Sequence, residues 1–121
     1  MKVLVIEDST SQRNLIMKIL ARLEGIEAIP APDALEGYLI LNQDPDIKAM
    51  VLDHHMPFVK GGDFIKKVRS KGQFYNLPII ISSGEDDTER FMEAGATEVL
   101  IKPYELNSLS AAIERARSFA G

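Results

Sequence analysis

Reactive side chains recur where apolar runs stop. Glu7 and Asp8 follow Val3 to Ile6, Asp53 follows Met50 to Leu52, Ser83 comes just after Leu77 to Ile81, and Lys102 follows Glu98 to Ile101. Three carboxylates brought together repel one another unless a cation neutralises them. An all-oxygen carboxylate set suits Mg²⁺, which is octahedral at about 2.1 Å. A metal held by few carboxylates keeps open positions for water and a phosphoryl oxygen. A lysine and a hydroxyl add charge and hydrogen bonds to the same group. A pocket shared by these residues would stabilise a phosphoryl group.

Sharing a pocket requires that the residues lie at one edge of a sheet. Short continuous apolar runs such as Val3 to Ile6 and Met50 to Leu52 suit parallel strands buried on both faces. In an open α/β sheet, ligands bind beyond the carboxyl ends of the strands, where each reactive residue would fall.

The segments between the runs read as helices. After Glu7 and Asp8, Ser9 to Ser11 supply capping residues. Leu15, Ile16, Ile19, Leu20 and Leu23 recur at helical spacing, and Gly25 marks the stop. Ile26 to Pro30 is a shorter second strand. Asp33 opens a second helix that carries Ala34, Leu35, Tyr38, Leu39 and Leu41. After Pro57, Gly61 and Gly62 permit a turn, and Asp63 is placed to cap a third helix with Phe64, Ile65 and Val68 inward. Lys66, Lys67, Arg69 and Lys71 form its solvated face. Glu85, Asp86, Asp87 and Glu89 suit the start of a fourth helix carrying Phe91, Met92 and Ala94. Leu106 to Phe119 forms a fifth, with Leu109, Ala112, Ile113 and Ala116 inward. Alternating strands and helices without long linkers or repeats predict an α/β fold, a doubly wound five-stranded parallel sheet with five helices in one domain over residues 1–121.

Composition narrows the setting. The chain has 121 residues, 45% of them hydrophobic, enough for one core. With no cysteine, disulfides and thiolate metal sites are excluded. A net charge of −4 argues against a broad basic nucleic-acid surface. The first apolar run is too short for a signal-peptide core, and no run approaches membrane-spanning length, so a cytoplasmic protein is expected.

Taken in order and at these separations, Glu7-Asp8, Asp53 with Met56-Pro57 and Gly61, Ser83-Gly84 and Lys102-Pro103 resemble the receiver domain of bacterial two-component response regulators, a CheY-like, flavodoxin-like (βα)5 fold of strand order 2-1-3-4-5. The similarity covers essentially the whole chain. It implies that Asp53 accepts a phosphoryl group from a histidine kinase or phosphotransfer protein. Glu7, Asp8, Asp53 and the backbone carbonyl of His55 would hold Mg²⁺. Ser83 and Lys102 would contact phosphoryl oxygens, and Pro103 would follow a cis peptide. His55 and Glu85 occupy rim positions that tune phosphoryl lifetime in the family. The domain would catalyse only its own phosphorylation and dephosphorylation, and would signal through helix 4, strand 5 and helix 5 to an effector domain or target protein. A homodimer stays open, as does continuation of the chain past Gly121.

Two features depart from the family. Val99 stands where receivers often carry an aromatic residue, and Ser83 and Lys102 are about three residues closer than usual, nearly one helical turn. An altered readout that depends less on helix 4 is expected. His54 and His55, the chain's two histidines, read as loop side chains at the pocket rim. Adjacent side chains commonly diverge, which weighs against a second metal site. The competing readings are a receiver-like interaction module that is never phosphorylated, and a flavin or nucleotide carrier using Ser9-Thr10-Ser11. The intact acid, serine and lysine set disfavours the first. The second would need a phosphate beside Glu7 and Asp8, in a loop without glycine.

Overall fold

The computed structural model describes residues 1–120, so the expected domain boundary at Gly121 lies outside the described residues. The elements run β1 (Lys2–Ile6), α1 (Thr10–Ala21), β2 (Glu27–Ala31), α2 (Ala34–Gln43), β3 (Ile47–Asp53), α3 (Gly61–Arg69), a 3₁₀ turn (Gly72–Phe74), β4 (Ile79–Ser83), α4 (Thr88–Ala94), β5 (Glu98–Ile101) and α5 (Leu106–Ala120). All strands are parallel, in the order β2-β1-β3-β4-β5 expected from the resemblance. Pro30 falls in edge strand β2, where a missing backbone donor does least harm.

Alternation along the strands divides the core in two. Leu4, Ile6, Met50, Leu52, Ile79 and Ile81 face α2, α3 and α4. Val3, Val5, Ala49, Val51 and Ile80 face α1 and α5. Because every central strand is covered on both sides, its apolar run is continuous. The order of strands reverses between β1 and β3, so a crevice opens beyond Ile6 and Asp53.

Several helix expectations change in detail. In α1 the inward stripe is Ile16, Ile19 and Leu20, which leaves Leu15 half exposed on the flank. In α2 the inward positions are Ala34, Gly37 and Leu41, while Leu35 and Leu39 face out. Gly37 sets that rotation: a Cβ there would lie 2.4 Å from Ile6 Cδ1, so the helix approaches β1 through its glycine. Met92 of α4 is likewise exposed.

Asp63 does not cap α3. The helix starts three residues earlier than that cap would set it, with Lys60 as N-cap and Asp63 in the first turn. Gly61 sits so close to β3 that a Cβ would be 2.7 Å from His54 Cα, and its N–H donates to His54 O at 2.8 Å. The left-handed turn expected of the two glycines falls instead on Phe58, at φ 78°. Lys66, Lys67 and Lys71 are solvated as expected, but Arg69 is not. Its guanidinium donates to Gly95 O at 2.9 and 3.0 Å and to Phe74 O at 2.7 Å, tying α3 to the loop after α4.

Candidate functional site

β1 and β3 end side by side, with Ile6 paired to Leu52 in parallel register, so the residues that follow each strand meet. Glu7 and Asp53 are buried and Asp8 is exposed. One carboxylate oxygen from each of the three lies within 4.8 Å of the others. β4 pairs with both β3 and β5 and brings the last two components to the same edge. Lys102 Nζ donates to Asp53 Oδ1 at 3.1 Å. Ser83 is fully buried, and its Oγ accepts from the Glu85 N–H at 2.9 Å, leaving its own O–H to donate elsewhere. The Lys102–Pro103 peptide is cis, as expected.

The charge balance is lopsided, with three carboxylates facing one ammonium. Burial first, and then the neighbouring Asp53 charge, push the Glu7 carboxyl up to about 7, only partly opposed by Lys102. Glu7 Oε1 accepts one backbone hydrogen bond, from Ser9 N at 3.4 Å. An all-oxygen set gathered around uncompensated negative charge fits a hard dication such as Mg²⁺.

Three neighbours were missed from sequence. Gln12 Oε1 accepts from Lys102 Nζ at 3.2 Å, so the lysine is held between Asp53 and α1. Arg13 donates to the Glu7 carbonyl at 2.7 Å and steadies the turn that presents the acids. Tyr104 is half-buried beside the pocket, and its partial burial, followed by the Glu7 and Asp53 charges, raises its hydroxyl pKa. The signal for Gln12 and Arg13 was position: Ser9 caps α1 by accepting from Gln12 N at 3.3 Å, which aims the first turn of the helix at the site.

The rim differs from expectation at His54, which is 2% exposed rather than a rim side chain. Its ring stacks edge-on to Phe91 of α4, with centroids 4.7 Å apart. Burial, and then the neighbouring His55, lower its pKa and favour the neutral ring. Nor do the two histidines diverge, since their ring centroids are 4.9 Å apart. His55 stays exposed and meets Glu85, with Nε2 3.3 Å from Oε1. Val99 is half-buried on the face of β5 that packs toward α4. At seven residues α4 is the shortest of the five α-helices, as the reduced spacing between Ser83 and Lys102 anticipates.

The family model described as Response regulator receiver domain matches residues 3–114. The chemotaxis protein CheY1 of Helicobacter pylori is 33% identical over 107 residues, covering 86% of each chain. The sensor histidine kinase CheAY of the same species is 37% identical over 123 residues, which span 98% of this chain and 15% of that one. The solved structure of the chemotaxis response regulator CheY4 of Vibrio cholerae shares the fold with a TM-score of 0.86 at 28% identity, over 95% of this chain and 97% of that one. A family match along nearly the whole chain, on a fold shared at this level, makes the protein a member of the response regulator receiver domains of two-component systems.

Proposed function

We propose that Asp53 is the phosphoacceptor. The observation that carries this reading is the buried Asp53 carboxylate, with Lys102 Nζ at 3.1 Å and a Glu7 and an Asp8 oxygen within 4.8 Å. An ionised carboxylate needs no base. One of its oxygens attacks the phosphorus of a phosphohistidine as the phosphorus–nitrogen bond breaks, and the imidazole leaves with the bonding pair. Lys102 pairs with a phosphoryl oxygen and the free O–H of Ser83 donates to another. Gln12 keeps the lysine oriented while Asp53 changes partners.

Glu7, Asp8, Asp53 and the backbone carbonyl of His55 would hold Mg²⁺, which supplies positive charge to the transferring phosphoryl group. The same residues support self-catalysed dephosphorylation, with His55 and Glu85 at the rim setting how readily water reaches the acyl phosphate.

The partners are a histidine kinase or phosphotransfer protein upstream and an effector or target downstream. An apolar groove of about 410 Å³ beside Lys102, lined by Leu15, Ile16, Pro103 and Leu106, suits a helix that carries the donor histidine. This gives the exposed Leu15 a use. On the output side, an aspartyl phosphate that draws Ser83 toward itself pulls on the Glu85 N–H bonded to the same hydroxyl and re-aims the loop into α4.

The test is intact mass after incubation with a small-molecule phosphodonor and Mg²⁺. One phosphoryl adduct, lost in Asp53→Asn and in chelator, is expected. No adduct under any condition would favour the alternative, an interaction module that works unphosphorylated.

A further inference from the structure

Beyond the carboxylates, a second cluster stands at the same edge. β3 ends at Asp53 and the chain turns at once, so the next two side chains fall on one side instead of alternating. Glu85 joins them from the β4–α4 loop. A ring nitrogen of His54, one of His55 and a carboxylate oxygen of Glu85 all lie within 4.8 Å of one another. A second observation is independent of that grouping: His54 is 2% exposed, yet its Nδ1 has no hydrogen-bond partner. Buried ring nitrogens are almost always satisfied, so an orphan on this ring leaves a lone pair open to a ligand.

We propose that His54, His55 and Glu85 form a binding site for a transition-metal dication of the zinc class, separate from the all-oxygen cage of Glu7, Asp8 and Asp53. Two imidazoles and one carboxylate are the donor set that Zn²⁺, Co²⁺ or Ni²⁺ prefers and Mg²⁺ does not. Ligands about 2.0 Å from a tetrahedral zinc stand roughly 3.4 Å apart. The 3.3 Å between His55 Nε2 and Glu85 Oε1 already meets that spacing, and both side chains are about half exposed and free to close on the buried ring.

Two cations oppose the ion. Lys60 Nζ lies 3.5 Å from His55 Nδ1, and an Arg90 guanidinium nitrogen 3.5 Å from His54 Nε2. Both are exposed and able to retract, so the site binds a dication less tightly than a closed structural zinc site and keeps a position open for water. The ion would tie the end of β3 to the β4–α4 loop, the segment whose movement the phosphoryl group is expected to drive. Zinc occupancy would therefore bias the switch from outside the phosphorylation pocket. The site itself goes beyond the phosphoacceptor reading and does not depend on it.

The experiment titrates the full chain with Zn²⁺ by calorimetry in excess Mg²⁺, alongside Co²⁺ followed by visible absorbance. Expected are one equivalent bound, tetrahedral cobalt bands, and affinity reduced at least about tenfold in both His55→Ala and Glu85→Gln. These exposed positions are chosen because the buried His54 ring packs the fold. His55→Ala also leaves the backbone carbonyl in place. Absence of saturable binding in excess Mg²⁺, displacement of the ion by Mg²⁺, or unchanged affinity in both variants would overturn the proposal. Displacement would assign the ion to the carboxylate cage, and it would leave the phosphoacceptor reading standing.

Discussion

The edge formed by β1 and β3 and the flank formed by α4 and β5 are built differently. At the edge, Glu7 directly follows β1 and Asp53 ends β3, both strands covered on both faces, and Lys102 is pinned from two sides. On the flank, α4 is seven residues long and attaches through one large buried side chain, Phe91, while every residue of β5 is only half-buried. Precise charge placement belongs on the rigid part, because a misplaced reacting group loses rate steeply. A responding element belongs where local opening is easier. The contrast would let the fold hold its chemistry fixed while the proposed output face moves.

The largest expected effect tests the flank. Phe91→Ala removes the main anchor of α4 together with the ring that packs on His54, and should cost about 3–5 kcal/mol in urea unfolding. A much smaller loss would mean that α4 is held by something other than Phe91. At the edge, Lys102→Ala should slow phosphoryl uptake from a small donor by about 10²-fold, with little change in unfolding midpoint. Equal losses of rate and stability would erase the distinction between chemistry and scaffold.

Gly61→Ala lies where the two regions join. Its Cβ would press on the His54 backbone, at an expected cost of about 1–3 kcal/mol, measured by the same unfolding assay.

A pH series sharpens the edge. The Glu7 carboxyl is raised from 4.5 to about 7, so the fold favours its protonated form. The stability this lends the metal-free protein is fully present below pH 4.5 and is lost as pH rises through about 7. Mg²⁺ needs the ionised carboxylate, so the increase in melting temperature on adding Mg²⁺ should grow across that interval. Melts in chelator and in Mg²⁺ read both trends, and an increment independent of pH would place Glu7 outside the metal site. The smallest effect is on β5, where Val99→Ala should cost about 1 kcal/mol or less, because the valine is only half-buried.

The strands, their alternation with helices and the residues at the carboxyl edge were legible because buried parallel strands are written as continuous apolar runs that stop where chemistry begins. Helix faces were legible only in part. Leu15, Leu35 and Leu39 fit the helical period, but small residues such as Gly37 decide which stripe can approach the sheet, and that depends on the partner surface. The start of α3 was hidden for the same reason, since it depends on the contact between Gly61 and the His54 backbone at the end of β3. His54 was hidden differently. Adjacent residues diverge on a strand, and only the break after Asp53 brings the two rings together, with His54 against Phe91.

Asp53 is the proposed site of the acyl phosphate, and trapping that bond tests the proposal most directly. Borohydride reduction of the protein after exposure to a phosphodonor and Mg²⁺ converts an aspartyl phosphate to homoserine, which peptide mass spectrometry locates. Homoserine at position 53 alone is the predicted result. Reduction at Glu7, Asp8 or another carboxylate, with Asp53 intact, would contradict it.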